Sequence, residues 1–274
     1  MCRNFKCAPL PFVGQKRSFV RDFAEVLGTV KNDVDTVVDL FGGSGLLSHT
    51  AKATLPDARV VYNYFDGYSE RIANIPTTNR ILAKIRPLLA GIPDHQRVPD
   101  DIRERILEIV AGYAEKGFVD YQTVSRSLLF SGKWAKSLED MRKHLFYNGI
   151  RQSDYDAKGY LDGLEVVSMD YRELFKLHRD NPRVLFVLDP PYLSTDCGMY
   201  EGWWKLRDYL DVLTLLPGTR YIYFTSEKSQ LVELCAWLGE NHFDGSPMDG
   251  AEIRTRRNTI NYSASFQDIM VIRV

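Results

Sequence analysis

Five short apolar runs, rich in β-branched and aromatic residues, recur along the chain with helical patterns between them. The first, Thr36-Val37-Val38-Asp39-Leu40-Phe41, stops at Gly42-Gly43-Ser44-Gly45, and residues 46–51 then read as a helix. Strand, glycine turn and helix in that order open a βαβ unit. The second run, residues 58–65, ends at Asp66-Gly67; the others cover residues 164–169, 184–188 and 220–224. Helical periodicity separates them over residues 171–179 and 203–216, and after Ser229, where Leu231, Leu234, Cys235 and Leu238 recur. This alternation predicts an α/β fold with a Rossmann-like, mostly parallel sheet covered on both faces. The end of the chain differs: residues 255–262 and 266–274 are strand-like around Ser263-Ala264-Ser265, which predicts an antiparallel C-terminal hairpin closing one sheet edge.

Between residues 76 and 163 the alternation stops. Ile102, Ile106, Ile109, Val110 and Tyr113 share one helical face, and Pro99-Asp100-Asp101 sits where proline and carboxylates suit a helix start. Helix-like stretches follow over residues 124–130 and 137–147. The reading is a mainly helical inserted domain at 76–163, with residues 1–75 and 164–274 forming the α/β domain.

Composition narrows the class. With 35 Lys+Arg against 36 Asp+Glu, a net charge of −1 excludes a grossly basic arm or an acidic tail, and 45% hydrophobic with 26% charged residues excludes a disordered chain. No run approaches the ~18 apolar residues of a membrane span. Residues 1–7 lack the apolar stretch of a secretory signal, so a cytoplasmic location is expected. The four cysteines form no Cys-x-x-Cys pair and the five histidines no ligand spacing, so no metal site is expected. Charge is uneven, however. From Val124 to Arg151 there are six basic residues (Arg126, Lys133, Lys136, Arg142, Lys143, Arg151) and two acidic ones.

Two features carry chemistry. The turn Gly42 to Gly45 lies at the carboxyl end of the first strand, where open α/β sheets bind ligands. Its spacing, Gly43-x-Gly45-x-x-Ser48, lacks the third glycine of a dinucleotide site, and a tight turn with no ligand has the same spacing. Asp66, 21 positions after Gly45, stands where a ribose-binding carboxylate is expected; a turn residue in Asp66-Gly67 is the other reading. Together they imply an adenosine-type ligand. The second feature is Asp189-Pro190-Pro191-Tyr192, directly after the fourth run. Successive prolines hold the chain extended and donate no hydrogen bonds. An acidic acceptor, a proline carbonyl and an aromatic face suit a flat ring bearing an amine: a nucleobase.

On these motifs the chain resembles the Dam-like class of adenine-specific DNA methyltransferases, which depend on S-adenosylmethionine. The family's Asp-Pro-Pro-Tyr is matched at 189–192, and its Phe-x-Gly-x-Gly turn at Phe41 to Gly45. Its aromatic-x-Gly-Gly-Lys element is similar to Phe12-Val13-Gly14-Gln15-Lys16, with Gln15 in place of a glycine. Its acidic-aromatic element is similar to Asp170-Tyr171, and its Phe-Asn-Gly-x-x-Arg to residues 146–151. The family also places its target-recognition domain between the second and third strands.

The resemblance implies these roles. Asp39, Phe41, Gly42, Gly43 and Gly45 would hold the methionine part of the cofactor, Asp66 its ribose, and Asp170 and Tyr171 its adenine. Phe12 and Lys16 would line the cofactor side of the pocket. Asp189, Pro190, Pro191 and Tyr192 would receive a target adenine flipped out of double-stranded DNA. The uneven charge, rather than the resemblance, makes Arg126, Lys133, Lys136, Arg142 and Lys143, with Asn148 and Arg151, the candidate DNA contacts, and Arg254, Arg256 and Arg257 a candidate second patch. A bacterial or phage-infected cell is the implied setting, with a cognate restriction endonuclease as a candidate partner. An RNA or other nucleobase-amine methyltransferase, and a catalytically silent nucleic-acid-binding module keeping the fold, are the alternatives.

Overall fold

The computed structural model describes residues 5–65, 67–130, 133–191, 204–241, 246, 248–261 and 264–274. In chain order its regular elements begin with α1 (Val20–Thr29), β1 (Thr36–Asp39), α2 (Leu46–Thr54) and β2 (Arg59–Asn63). The helices α3 (Tyr68–Ala73), α4 (Ile75–Leu89), α5 (Asp100–Ala114), α6 (Tyr121–Arg126) and α7 (Leu138–Arg142) follow. Then come β3 (Glu165–Val167), α8 (Tyr171–His178), β4 (Val184–Leu188), α9 (Leu206–Leu213), β5 (Tyr221–Ser226) and α10 (Gln230–Glu240). The last two strands are β6 (Glu252–Asn261) and β7 (Ala264–Arg273). No helix among the described residues is long and apolar enough to cross a membrane.

The chain divides into two compact units: Met1–Cys7, Gly14–Asp66 and Gly159–Val274 form one, Ala8–Val13 and Gly67–Lys158 the other. The first unit is built on a seven-stranded sheet of order β3-β2-β1-β4-β5-β7-β6. Strands β3, β2, β1, β4 and β5 run parallel; β7 pairs antiparallel with β5, and β6 with β7. This is the Rossmann-like, mostly parallel sheet with an antiparallel C-terminal pair that the pattern predicts. Hairpin pairing begins earlier than expected: Glu252 already pairs with Ile272, and the register shifts once, between Thr259 and Asn261.

Two-sided burial explains the near-continuous apolar runs. Val37, Leu185, Ile222 and Met270 face one layer with Phe23 and Leu27 of α1 and Leu47 and Ala51 of α2. Their neighbours Val38, Phe186, Tyr223 and Val271 face the other, with Leu174 of α8, Val212 of α9 and Leu231 of α10. Period-2 alternation along each strand therefore feeds two cores at once. Strand β1 lies between β2 and β4, so the winding reverses at the β1/β4 boundary, the place where open sheets bind ligands.

In the second unit the buried guanidinium of Arg71 pairs with the buried Asp120 (3.0 Å) and donates to Thr123 Oγ1 and the Pro11 carbonyl. Asp120 also accepts from the Thr123 N–H, capping α6. That cap starts the helix at Tyr121, ahead of the expected 124–130. The expected helix over 137–147 also shortens: Ser137 caps α7, but beyond Arg142 the chain leaves the helix. Backbone pairing of Phe146 with Val98, Tyr147 with Leu128 and Asn148 with Gln96 takes over. Non-local hydrogen bonds thus override local propensity.

Candidate active site

The glycine turn is shaped by its neighbours. Gly43 (φ +46°) and Gly45 (φ +72°) take left-handed backbone, and the Gly45 N–H donates to the Gly42 carbonyl at 2.7 Å. At Gly42 a Cβ would stand 2.3 Å from the Tyr62 ring, so this glycine makes room for a side chain of β2. The Tyr62 hydroxyl then donates to the Gly43 carbonyl (2.6 Å) and the Tyr160 hydroxyl to the Ser44 carbonyl (2.9 Å), fixing the turn from both sides. Asn63, at the end of β2, joins three strand exits. Its Nδ2 donates to the Leu40 and Met169 carbonyls, and its Oδ1 accepts from the Met169 N–H.

Ser48 stands where a dinucleotide site has its third glycine. Its hydroxyl donates to Asp39 Oδ2 at 2.6 Å, at the end of β1. Asp39 is 1% exposed, and its Oδ1 has no hydrogen-bond partner among the described residues. Burial pushes this carboxyl up to about 7 against the Ser48 hydrogen bond, and the negative charge of Asp189 adds to the rise. A buried acceptor of this kind suits a cationic donor, which would return it to the ionised form.

Leu40 N–H donates to the Val187 carbonyl, so β1 and β4 end side by side and Asp189 leaves the sheet next to the glycine turn. Asp189 is 18% exposed. Lys16, 5% exposed, donates to Asp189 Oδ2 at 2.6 Å and to the Gly14 carbonyl at 2.7 Å. Burial raises the Asp189 carboxyl above its ordinary value, with a further rise from Asp268, and the Lys16 charge opposes both.

The expected residues are placed unevenly. Asp39, Gly42, Gly43, Gly45, Lys16, Asp189 and Pro190 come together at this sheet edge, but Lys16 meets Asp189 there. Tyr171 is buried against Phe41 (ring centroids 5.0 Å) and Trp204 (5.7 Å), and burial pushes its hydroxyl up to about 12. Asp170 caps α8 by accepting from the Arg172 N–H. Phe12 belongs to the second unit, edge-on to the Tyr68 ring. Asp66 and Tyr192 lie outside the described residues.

Among the expected DNA contacts, Arg126, Lys133, Lys136, Arg142 and Lys143 are exposed on the second unit. Arg151 lies over the Tyr155 ring (4.6 Å). Asn148 is buried, donates to the Ile92 carbonyl (2.6 Å) and accepts from the Ile150 N–H, a structural role inside its unit. Arg254 pairs with Glu252 and Glu25, and Arg256 with Asp22, while Arg257 is exposed. Sequence pattern assigns no role to Tyr62, Asn63 or Tyr160, and marks Ser48 only as a missing glycine. The one local signal is Ser48 itself, nine positions after Asp39, since a strand-end acid and a helix-face hydroxyl meet across a tight turn.

No protein-family model matches the chain. A protein of Haemophilus influenzae (strain ATCC 51907 / DSM 11121 / KW20 / Rd), described as "Putative methyltransferase", is 41% identical over 249 residues, covering 88% of this chain and 83% of the relative. Identity at that level over most of both chains, together with the Rossmann-like sheet, places the chain in this methyltransferase family.

Proposed function

We propose that the protein methylates the exocyclic amine of adenine in double-stranded DNA, using S-adenosylmethionine. The observation that carries this reading is Asp189, held by Lys16 at the carboxyl end of β4 and followed by two prolines. Methyl transfer as such follows from the family; the acceptor, the cofactor and the DNA partner are the proposal.

The residues fit the cofactor. Asp39 offers a buried oxygen without a partner beside a turn of left-handed glycines, and the ammonium and sulfonium groups of S-adenosylmethionine are cationic. When bound, the cofactor supplies an electrophilic methyl group. Asp39 and the Gly42 to Gly45 backbone would hold its methionine part, and Asp66 its ribose. The aromatic layer of Phe41, Tyr171 and Trp204 forms an apolar wall, and Asp170 stands at its edge.

Asp189 acts on the acceptor. The carboxylate oxygen that Lys16 does not hold accepts a hydrogen from the target amine, as does the Pro190 carbonyl, which turns the nitrogen lone pair outward. Methylation would give the nitrogen one new bond to carbon as the methyl parts from the donor's sulfur, which keeps the bonding pair as a neutral thioether; the nitrogen would then shed one proton, and Asp189 is the base in reach. Tyr192 would stack on the flipped ring. Catalysis of this kind rests on positioning and electrostatics. The exposed cations of the second unit supply sequence-independent grip on phosphates.

Incubation with methyl-labelled cofactor and unmethylated duplex tests the reading. Wild type should label the DNA, and Asp189→Ala should lose labelling while keeping cofactor binding. Label appearing in RNA and not in DNA would move the activity to another acceptor.

A further inference from the structure

We propose that Lys16 is a positioning residue for the acceptor carboxylate, orienting Asp189 and holding it charged, and that this is its role in place of a cofactor contact. The inference deepens the proposed function and rests on it, because it takes Asp189 as the group that meets the target amine.

Three observations carry it. The Lys16 ammonium is almost fully buried, a costly location that requires partners. Two of these are the Asp189 carboxylate at 2.6 Å and the Gly14 carbonyl at 2.7 Å. Gly14 has left-handed backbone (φ +82°), which explains a glycine two positions before this lysine. The surroundings then make a cation necessary. Asp268 on β7 brings negative charge toward Asp189, and Asp189 in turn raises the buried Asp39 carboxyl at the end of β1. Strand β5 contributes the phenol Tyr223 beside Leu188 and no carboxylate or cation at Phe224, Thr225 or Ser226.

The chemistry requires the ionised form. A protonated Asp189 would present an O–H donor to the amine and draw its lone pair inward, away from the methyl group. Burial and the neighbouring Asp268 carboxylate push Asp189 toward that form, and Lys16 opposes them. The Lys16 ammonium is already engaged by the Asp189 carboxylate and the Gly14 carbonyl, and the pair with Asp189 matches charge with charge.

The test follows the Asp189 carboxyl by carbon NMR of Asp-labelled protein, its signal assigned by its loss in Asp189→Asn. Lys16→Gln keeps a donor without charge, and Lys16→Arg keeps the charge. In Lys16→Gln the carboxyl should titrate about one to three pH units higher, and the acid limb of the methylation rate should move with it. Lys16→Arg should restore both, and cofactor affinity by calorimetry should hold in each variant. Equal titration in wild type and Lys16→Gln overturns the proposal. The wild-type protein gives an answer free of any folding defect in a variant: a carboxylate at pH 7 supports the role, and a protonated Asp189 at pH 7 overturns it. A wild type that methylates no adenine would overturn the proposed function alone, since the titration decides Lys16 separately.

Discussion

Ser48 donates a 2.6 Å hydrogen bond to Asp39 Oδ2 and leaves Oδ1 buried without a partner. A carboxylate so placed is half ready for a ligand: one oxygen is oriented by Ser48, and the other is short of a donor. Its carboxyl sits at about 7 against an ordinary 3.8. A raised acid favours the protonated folded form, so without ligand the fold loses stability as pH rises from about 4 to about 7. A bound cation reverses the preference. Cofactor affinity should therefore fall by about tenfold per pH unit below 7, level off above it, and be accompanied by proton release on the acid side. Calorimetry at pH 6, 7 and 8 in two buffers of different ionisation enthalpy checks this. Asp39→Asn should flatten the profile; an unchanged profile in that variant would remove Asp39 from the cofactor site.

The Arg71–Asp120 pair makes a separate demand on the second unit. Both side chains are buried, and Asp120 also caps α6. Removing one partner strands the other charge, so Asp120→Ala should lower stability by about 3–5 kcal/mol, with loss of the cap contributing. Urea unfolding of the full chain measures it. A cost near that of a surface substitution would mean the pair is hydrated in solution.

Grip on DNA should be electrostatic. Lys133, Lys136 and Lys143 are exposed, in a stretch with six basic and two acidic residues. Replacing all three with Ala should reduce the slope of log affinity against log salt by about 0.9 for each phosphate that is no longer neutralised. Binding to cognate and scrambled duplexes should weaken alike. Titration at three salt concentrations decides, and an unaltered slope would leave these lysines as a solvated face.

The parts of the fold that sequence exposes are those where local pattern and tertiary structure agree. β1, its glycine turn and α2 are legible because a β-branched apolar run buried on both faces, a cluster of glycines and a helical run follow one another within residues 36–54. Helix α1 buries Phe23, Val26 and Leu27 at helical spacing, yet no side chain caps its start to announce it. Helix α4 contains Pro76 and Pro87, which read as breakers. At the site, Asp39 and Asp189 can be named from the ends of their strands. The Lys16–Asp189 pair spans 173 positions and the Asn63 bridge to Met169 spans 106, and no local pattern encodes such pairings.

The most direct test of the central claim is nucleoside mass spectrometry of DNA from bacteria lacking their own adenine methylases and expressing this protein. N6-methyl-2′-deoxyadenosine should appear with wild type and be absent with Asp189→Ala. Methylated cytosine, methyl groups confined to RNA, or adenine methylation persisting in Asp189→Ala would contradict the account.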